Sequence, residues 1–350
     1  MTDAFILMTA LPPTKGHLDL INFANNLISP GDLVHVLLVT EPDEPKSAAR
    51  FSALKAATRG MHQVVVHWID QEVPQNPEEH PDFWSYWADV LSEYSFQEGD
   101  YIVASEPYGV QLAEAAKGVF MPYDLERSIR YTKASRVRAD YRIFWEDILP
   151  EFRPYLRKTV TIFGAESVGK TTTAEGLSWM LLNSKWYPEW ARPYLETVGP
   201  EVTEEKMIRI WEGQKALQRS ALLDNEVEFR IQDTDLYSTL GYWEMWSPDT
   251  VPNELRQDAK WYRSDVYFVL ASNIPFEKDP LRYGGDVRES SDQYWIDLCV
   301  RENLHYYYIT STEETQRQFD IENILNKLYP GDELKYQRRG EEYQKLDSSK

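Results

Sequence analysis

Short apolar runs and longer helical patterns alternate along the chain. Residues 4–10 are apolar and β-rich, a Pro/Gly/Lys loop follows, and residues 17–28 carry apolar positions at helical spacing. The pattern recurs, with strands predicted over 33–40 and 64–69 and helices over 48–59 and 83–94, and the segments 101–105, 110–116 and 119–121 continue it. Such alternation predicts a parallel sheet covered on both faces, because parallel neighbours need a crossover long enough to hold a helix. Ligands of these sheets bind at the carboxyl ends of the strands. Pro150 and Pro154 then interrupt residues 148–157, just before a new strand at 159–163, and place a domain boundary there. Beyond it the spacing predicts helices over 169–183 and 204–225 and strands over 229–232, 266–270 and 306–309. The expected fold is α/β, with two doubly wound parallel-sheet domains over residues 1–150 and 156–330 and a charged, aliphatic-poor tail over 331–350.

Composition fits this division. A chain of 350 residues exceeds one ordinary core, and 42% hydrophobic with 27% charged residues suits a globular protein. The formal charge of -20 opposes nonspecific adsorption to nucleic acid or an anionic membrane surface, so neither is an expected partner. An anionic substrate needs only a local basic pocket. The single Cys299 excludes a disulfide framework and a Cys-based zinc site, fits a reducing compartment, and reads as a small apolar residue in a helix. No apolar run approaches the ~20 residues of a membrane span, and Met1-Thr2-Asp3 lacks the parts of a signal peptide, so a cytoplasmic location is expected.

The strongest chemical signal is Gly164-Ala165-Glu166-Ser167-Val168-Gly169-Lys170-Thr171, a full GxxxxGKT between a strand and a helix. Its glycines let backbone N–H groups turn inward onto phosphate oxygens at a helix N-terminus. Lys170 supplies charge to the β- and γ-phosphates, Thr171 a hydroxyl for Mg²⁺, and Thr172 extends the ATP-binding set into the helix. Asp233-Thr234-Asp235 follows a predicted strand, where a catalytic or metal-binding carboxylate is needed; the alternative is a pair of solvated turn acids. Glu189 and Arg192 stand after the first helix, as an acceptor-site acid with its basic neighbour or as a surface ion pair. Arg282 and Arg288 flank Gly284-Gly285, a basic loop suited to closing over transferring phosphate. In the first domain, Thr14-Lys15-Gly16-His17 occupies the phosphate-binding position between the first strand and helix. There Gly16 permits close backbone approach, His17 offers a nitrogen donor and Lys15 adds charge, unless the segment is an ordinary connecting loop.

These segments together resemble one family. Thr14-Lys15-Gly16-His17 is similar to the (H/T)xGH signature of nucleotidyltransferases, Ser105-Glu106-Pro107-Tyr108-Gly109 to an SSEPYG segment, Asp124 with Arg127 to a DxxR element, and Ser135-Arg136-Val137-Arg138 to TxIR. The P-loop, Glu189 with Arg192, the Asp233 to Asp235 triplet and the arginine loop follow in the order of the attached kinase domain. From about residue 5 to 328 the chain resembles the NadR-type enzymes, in which a nicotinamide mononucleotide (NMN) adenylyltransferase is joined to a ribosylnicotinamide kinase.

The resemblance implies a Rossmann-like nucleotidyltransferase domain and a P-loop kinase domain, with ATP, nicotinamide riboside, NMN and NAD as partners and Mg²⁺ as cofactor. It leaves room for a homo-oligomer. It implies an ATP site in the first domain made of Thr14, Lys15, Gly16, His17, Ser105, Glu106, Arg127, Ser135 and Arg138. In the second it implies the P-loop with Thr172, Arg282 and Arg288 for ATP, Glu189, Arg192 and Asp235 for the acceptor, Glu189 or Asp233 as base, and Thr171 with Asp233 for the metal. Thr14 stands where many relatives have His, Lys133 replaces a serine, and the DNA-binding segment that precedes some relatives is not expected here. A rival reading keeps the kinase, for another nucleoside, and makes the front half a degenerate nucleotide sensor. A second makes the chain a nucleotide-responsive adaptor without catalysis.

Overall fold

Each of two units is built around a five-stranded, all-parallel sheet. The computed structural model describes residues 2–277 and 290–335. Unit 1 is Met1–Tyr155 with the described residues from Gly331 on, and unit 2 is Leu156–Pro330.

In unit 1 the chain runs β1 (Ala4–Met8), α1 (Lys15–Leu27), β2 (Val34–Thr40), α2 (Ser47–Ala57), β3 (Val64–Asp70), α3 (Phe83–Glu93), β4 (Tyr101–Ala104), α4 (Gly109–Ala116), β5 (Val119–Pro122) and α5 (Ala134–Ala139). The strand order is β3-β2-β1-β4-β5. The chain therefore winds outward from β1 first through β2 and then, on the other side, through β4, which opens a crevice between the carboxyl ends of β1 and β4. All seven residues of β2 are buried, and five of them, Val34 and Val36 to Val39, are apolar, as a strand covered on both faces requires. β1 stops at Met8, earlier than expected, because Ala10 adopts a φ of 43° and turns the backbone out of the sheet.

Unit 2 repeats the plan with β6 (Lys158–Gly164), α6 (Lys170–Met180), β7 (Ser184–Tyr187), α7 (Ala191–Val198), α8 (Glu204–Leu223), β8 (Phe229–Asp233), α9 (Leu236–Trp246), α10 (Asn253–Trp261), β9 (Val266–Leu270), α11 (Asp292–Arg301), β10 (Tyr306–Ile309) and α12 (Glu314–Leu328). The order β10-β9-β6-β8-β7 puts β6 at the centre and the P-loop over the middle of the sheet. The helix expected over 169–183 ends at Met180, and Ser184–Tyr187 form an edge strand instead. Only Tyr187 of that strand is buried, so no apolar run announces it. Cys299 is buried in α11, and burial pushes its thiol up to about 12, which leaves it unreactive.

The solvated tail expected over 331–350 does not hold for residues 331–335. The Gly331 carbonyl accepts from Tyr141 N–H at 3.1 Å, and Leu334 is fully buried. An aliphatic anchor within a charged stretch is enough to tie it down; residues 336–350 lie outside the described residues. Among the described residues no helix is long and apolar enough to cross a membrane.

Candidate functional site

In unit 1 the site begins at the cap of α1. The backbone N–H of Thr14 donates to His17 Nδ1 at 3.0 Å, and the Thr14 hydroxyl stands 2.8 Å from the same nitrogen. A ring nitrogen that accepts from an N–H carries no proton, so the hydroxyl donates as well and the imidazole proton sits on Nε2. Burial, followed by the charge of Arg127, pushes His17 down to about 4. The ring is therefore a neutral donor at neutral pH.

A cavity of about 700 Å³ opens here. Thr14, Gly16, His17, Ser105, Glu106, Arg127, Ser135 and Arg138 all line it, as does the unusual Lys133. Arg127 pairs with Glu106 at 3.2 Å. Asp124 accepts N–H groups of Ile129 and Arg130, each at 2.9 Å, and these bonds, that of Ile129 foremost, hold its carboxyl low and fix the loop that carries Arg127. Lys15 does not join them. Its ammonium lies 3.9 Å from Glu146, because residues two apart on a helix point roughly 200° apart, so Lys15 and His17 leave opposite sides of the first turn. Sequence reasoning missed the opposite wall, made by Phe83, Trp84 and Trp87 of α3 with residues 74–77. Their aromatic faces suit a flat ring. Aromatics at this helical spacing read equally well as core, and Trp87, 4% exposed, is core too.

In unit 2 the P-loop curls through positive φ at Gly164 (129°), Ser167 (54°) and Gly169 (81°). A Cβ on Gly164 would come within 2.9 Å of the Leu270 carbonyl, so the first glycine is needed for packing as well as for curvature. Lys170 Nζ donates to the carbonyls of Gly164 at 3.1 Å and Ala165 at 2.7 Å. Residues 166–173 line a cavity of about 360 Å³ together with Glu189 and Arg192. The hydroxyl of Thr171 donates to Asp233 Oδ2 at 2.5 Å. A hydroxyl beside a carboxylate at a phosphate loop is a hard-oxygen donor set and fits Mg²⁺. Among the described residues no group of three or more His, Cys, Asp or Glu is placed to hold a metal.

Two expected ligands point elsewhere. Asp235, 1% exposed, caps α9: its Oδ1 accepts from Tyr237 and Ser238 N–H at 2.9 and 3.1 Å, and its Oδ2 from the Tyr267 hydroxyl at 2.7 Å. Burial raises it to about 6, and it does not line the cavity. The Glu166 carboxylate is turned inward to Ser290 rather than toward phosphate. Arg282 and Arg288 lie outside the described residues. The cavity wall adds Met207 and Ile210 of α8, Tyr242 of α9 and Arg317 of α12, none of them legible beforehand. Arg317, 2% exposed, donates to the Val168 carbonyl at 2.6 Å and braces the loop.

The chain is thus an α/β protein of two doubly wound parallel sheets, one of which is a P-loop domain. Residues 159–317 match the family described as AAA domain. Over 297 residues the chain is 23% identical to the Trifunctional NAD biosynthesis/regulator protein NadR of Salmonella typhimurium, covering 81% of this chain and 70% of that protein. It is 22% identical to the protein of the same name from Escherichia coli, with the same coverage. Two crystal structures share its fold. NadR protein in complex with NR aligns with a TM-score of 0.62 at 18% identity, and NadR protein in complex with NAD and AMP-PNP with 0.61 at 19%, each covering 96% of this chain and 98% of the other. The resemblance of the chain to NadR-type proteins is borne out.

Proposed function

We propose that each unit catalyses one ATP-dependent step of NAD synthesis. Unit 2 passes the γ-phosphoryl group of ATP to the 5′-hydroxyl of nicotinamide riboside, forming NMN. Unit 1 directs the NMN phosphate onto the α-phosphorus of a second ATP, forming NAD and releasing pyrophosphate. The observation that carries this reading is that in each unit the loop between the central strand and the following helix lines that unit's own cavity. The matched relatives named for NAD biosynthesis, and the neighbours bound to NR and to NAD with AMP-PNP, supply the substrate class. A cytoplasmic site of action goes with these soluble substrates.

Neither step needs a covalent intermediate, so catalysis rests on positioning and charge stabilisation. In unit 2, Lys170 and the loop N–H groups hold the phosphates, with Arg282 and Arg288 assigned to the same task. Thr171 and Asp233 hold Mg²⁺, which when bound offsets the triphosphate charge. Glu189 is the base, since it faces the cavity whereas Asp233 is 2% exposed and accepts the Thr171 hydroxyl. Arg192 and Tyr242 frame the acceptor. In unit 1, His17 Nε2, Ser105, Arg127, Lys133, Ser135 and Arg138 hold the triphosphate, and the α3 aromatics face the nicotinamide end.

Thr14 acts chiefly through His17. Thr14→Val keeps the backbone N–H bond to Nδ1 and deletes only the hydroxyl, so NAD formation from NMN should slow by about 10-fold or less, the worth of one ordinary hydrogen bond. A loss of ~100-fold, the range for a donor lost from a developing charge, would show that the hydroxyl binds phosphate directly. Asp235→Asn preserves the cap of α9, and the KM for nicotinamide riboside should stay unchanged in steady-state assays. A large rise in that KM alone would restore Asp235 to the acceptor site.

The deciding experiment supplies nicotinamide riboside and ATP and follows NMN and NAD. Pyrophosphate release from NMN plus ATP tests unit 1 separately. If a nucleoside is phosphorylated but NMN yields no pyrophosphate, the rival reading holds, in which the front unit only senses nucleotide.

A further inference from the structure

Glu166 places an acid inside a loop built to hold a polyanion. Its side chain is 3% exposed, and its Oε2 accepts from the Ser290 hydroxyl at 2.8 Å and the Ser290 N–H at 3.3 Å. That hydroxyl in turn accepts from the indole N–H of Trp295 at 2.9 Å, which orders the protons in one direction from indole to hydroxyl to carboxylate. Trp295 is fully buried, edge-on to Phe163 of β6 at 4.9 Å and to Tyr242 of α9 at 5.1 Å. It packs so closely over α9 that a Cβ on Gly241 would come within 2.7 Å of its ring. Tyr242 lines the same cavity as the P-loop. A continuous set of contacts therefore runs behind the cavity, from the crown of the P-loop to a wall formed by α9.

We infer that Glu166 is a positioning residue that couples the two ends of the unit 2 cavity: phosphates seated in the loop and an acceptor seated against Tyr242 favour each other through Ser290 and Trp295. The inference rests on the kinase reading of unit 2. The physical basis is that both ends are tied to one rigid indole. A loop peptide displaced by phosphate pulls on Ser290, and the indole can follow only by moving against Gly241 and Tyr242 in a packed core. Carboxylate character is not required for this, only an acceptor, so an amide at position 166 should serve. Removal of a charge that opposes phosphate should also leave ATP binding no weaker in that variant.

The test is calorimetric binding of nicotinamide riboside to the full chain, with and without a saturating non-hydrolysable ATP analogue. In the wild type the analogue should tighten acceptor binding, with coupling factors of this kind typically ~5- to 150-fold. Trp295→Phe deletes the indole N–H and retains an aromatic ring; Ser290→Ala deletes the middle link. In both, acceptor affinity without the analogue should remain and the coupling factor should fall toward one. Glu166→Gln should retain coupling and Glu166→Ala should lose it. If the wild type turns over nicotinamide riboside and the factor is the same in Ser290→Ala and Trp295→Phe, the relay is wrong and the kinase reading stands. No binding or turnover of nicotinamide riboside by the wild type removes both.

Discussion

Lys170→Ala is expected to lose at least ~1000-fold in NMN formation from nicotinamide riboside while NAD formation from supplied NMN continues at the wild-type rate. The side chain of Lys170 lies folded over the loop, its ammonium on the carbonyls of Gly164 and Ala165, so the charge is already placed where β- and γ-phosphates enter. Alanine removes that charge without disturbing the glycine-dependent curl. Nothing in the unit 1 cavity depends on it, because every residue lining that cavity lies within Met1–Tyr155. A folded Lys170→Ala protein that also stops releasing pyrophosphate from NMN would require a single shared ATP site.

The converse is expected of His17. His17→Ala should reduce NAD formation from NMN by ~100- to 1000-fold, the cost of a preorganised donor to developing charge, and let NMN accumulate from nicotinamide riboside. The tautomer sharpens the expectation. Glutamine can place an amide N–H near Nε2, where the donor is needed, whereas asparagine reaches only the Nδ1 position that Thr14 already occupies, so His17→Gln should retain more activity than His17→Asn. Equal activities of the two would refute the assignment of the proton to Nε2. Mixing the Lys170→Ala and His17→Ala proteins should restore NAD synthesis, because free NMN passes between them.

Protonation follows from the same burial. With the folded value at about 4 and the ordinary value at 6.5, the unfolded chain takes up this proton first as pH falls. The stability linked to His17 is complete above pH 6.5 and declines as pH drops toward 4, and thermal unfolding of His17→Gln should lack that decline. Between those limits the transferase rate should show no limb from His17 itself.

Both strand–loop–helix turns and the alternation that makes two parallel sheets were legible in the chain, and for one reason. Each loop is a contiguous segment whose glycines, donors and flanking strand and helix are neighbours in sequence, so its backbone geometry is decided locally. The buried strand β9 likewise declares itself as an unbroken apolar run, and β2 and β6 as β-rich segments with few polar positions. Strand β7 does not, since an edge strand with one buried residue has no pattern to read.

What a side chain faces was decided elsewhere. Lys15 and His17 share a motif, yet the helical turn sends one to Glu146 and the other to the cavity. Asp233 and Asp235 share a triplet, yet one receives Thr171 and the other is spent on the cap of α9 and on Tyr267. Glu166 sits in the P-loop but belongs to Ser290, 124 residues away, and Arg317 reaches Val168 across 149. The sequence by itself determined which segments form strand–loop–helix turns suited to phosphate, because local backbone curvature and helix polarity suffice for that. Only the tertiary structure decided which acids and bases face the cavities, because their direction depends on packing partners that the chain brings together from distant positions.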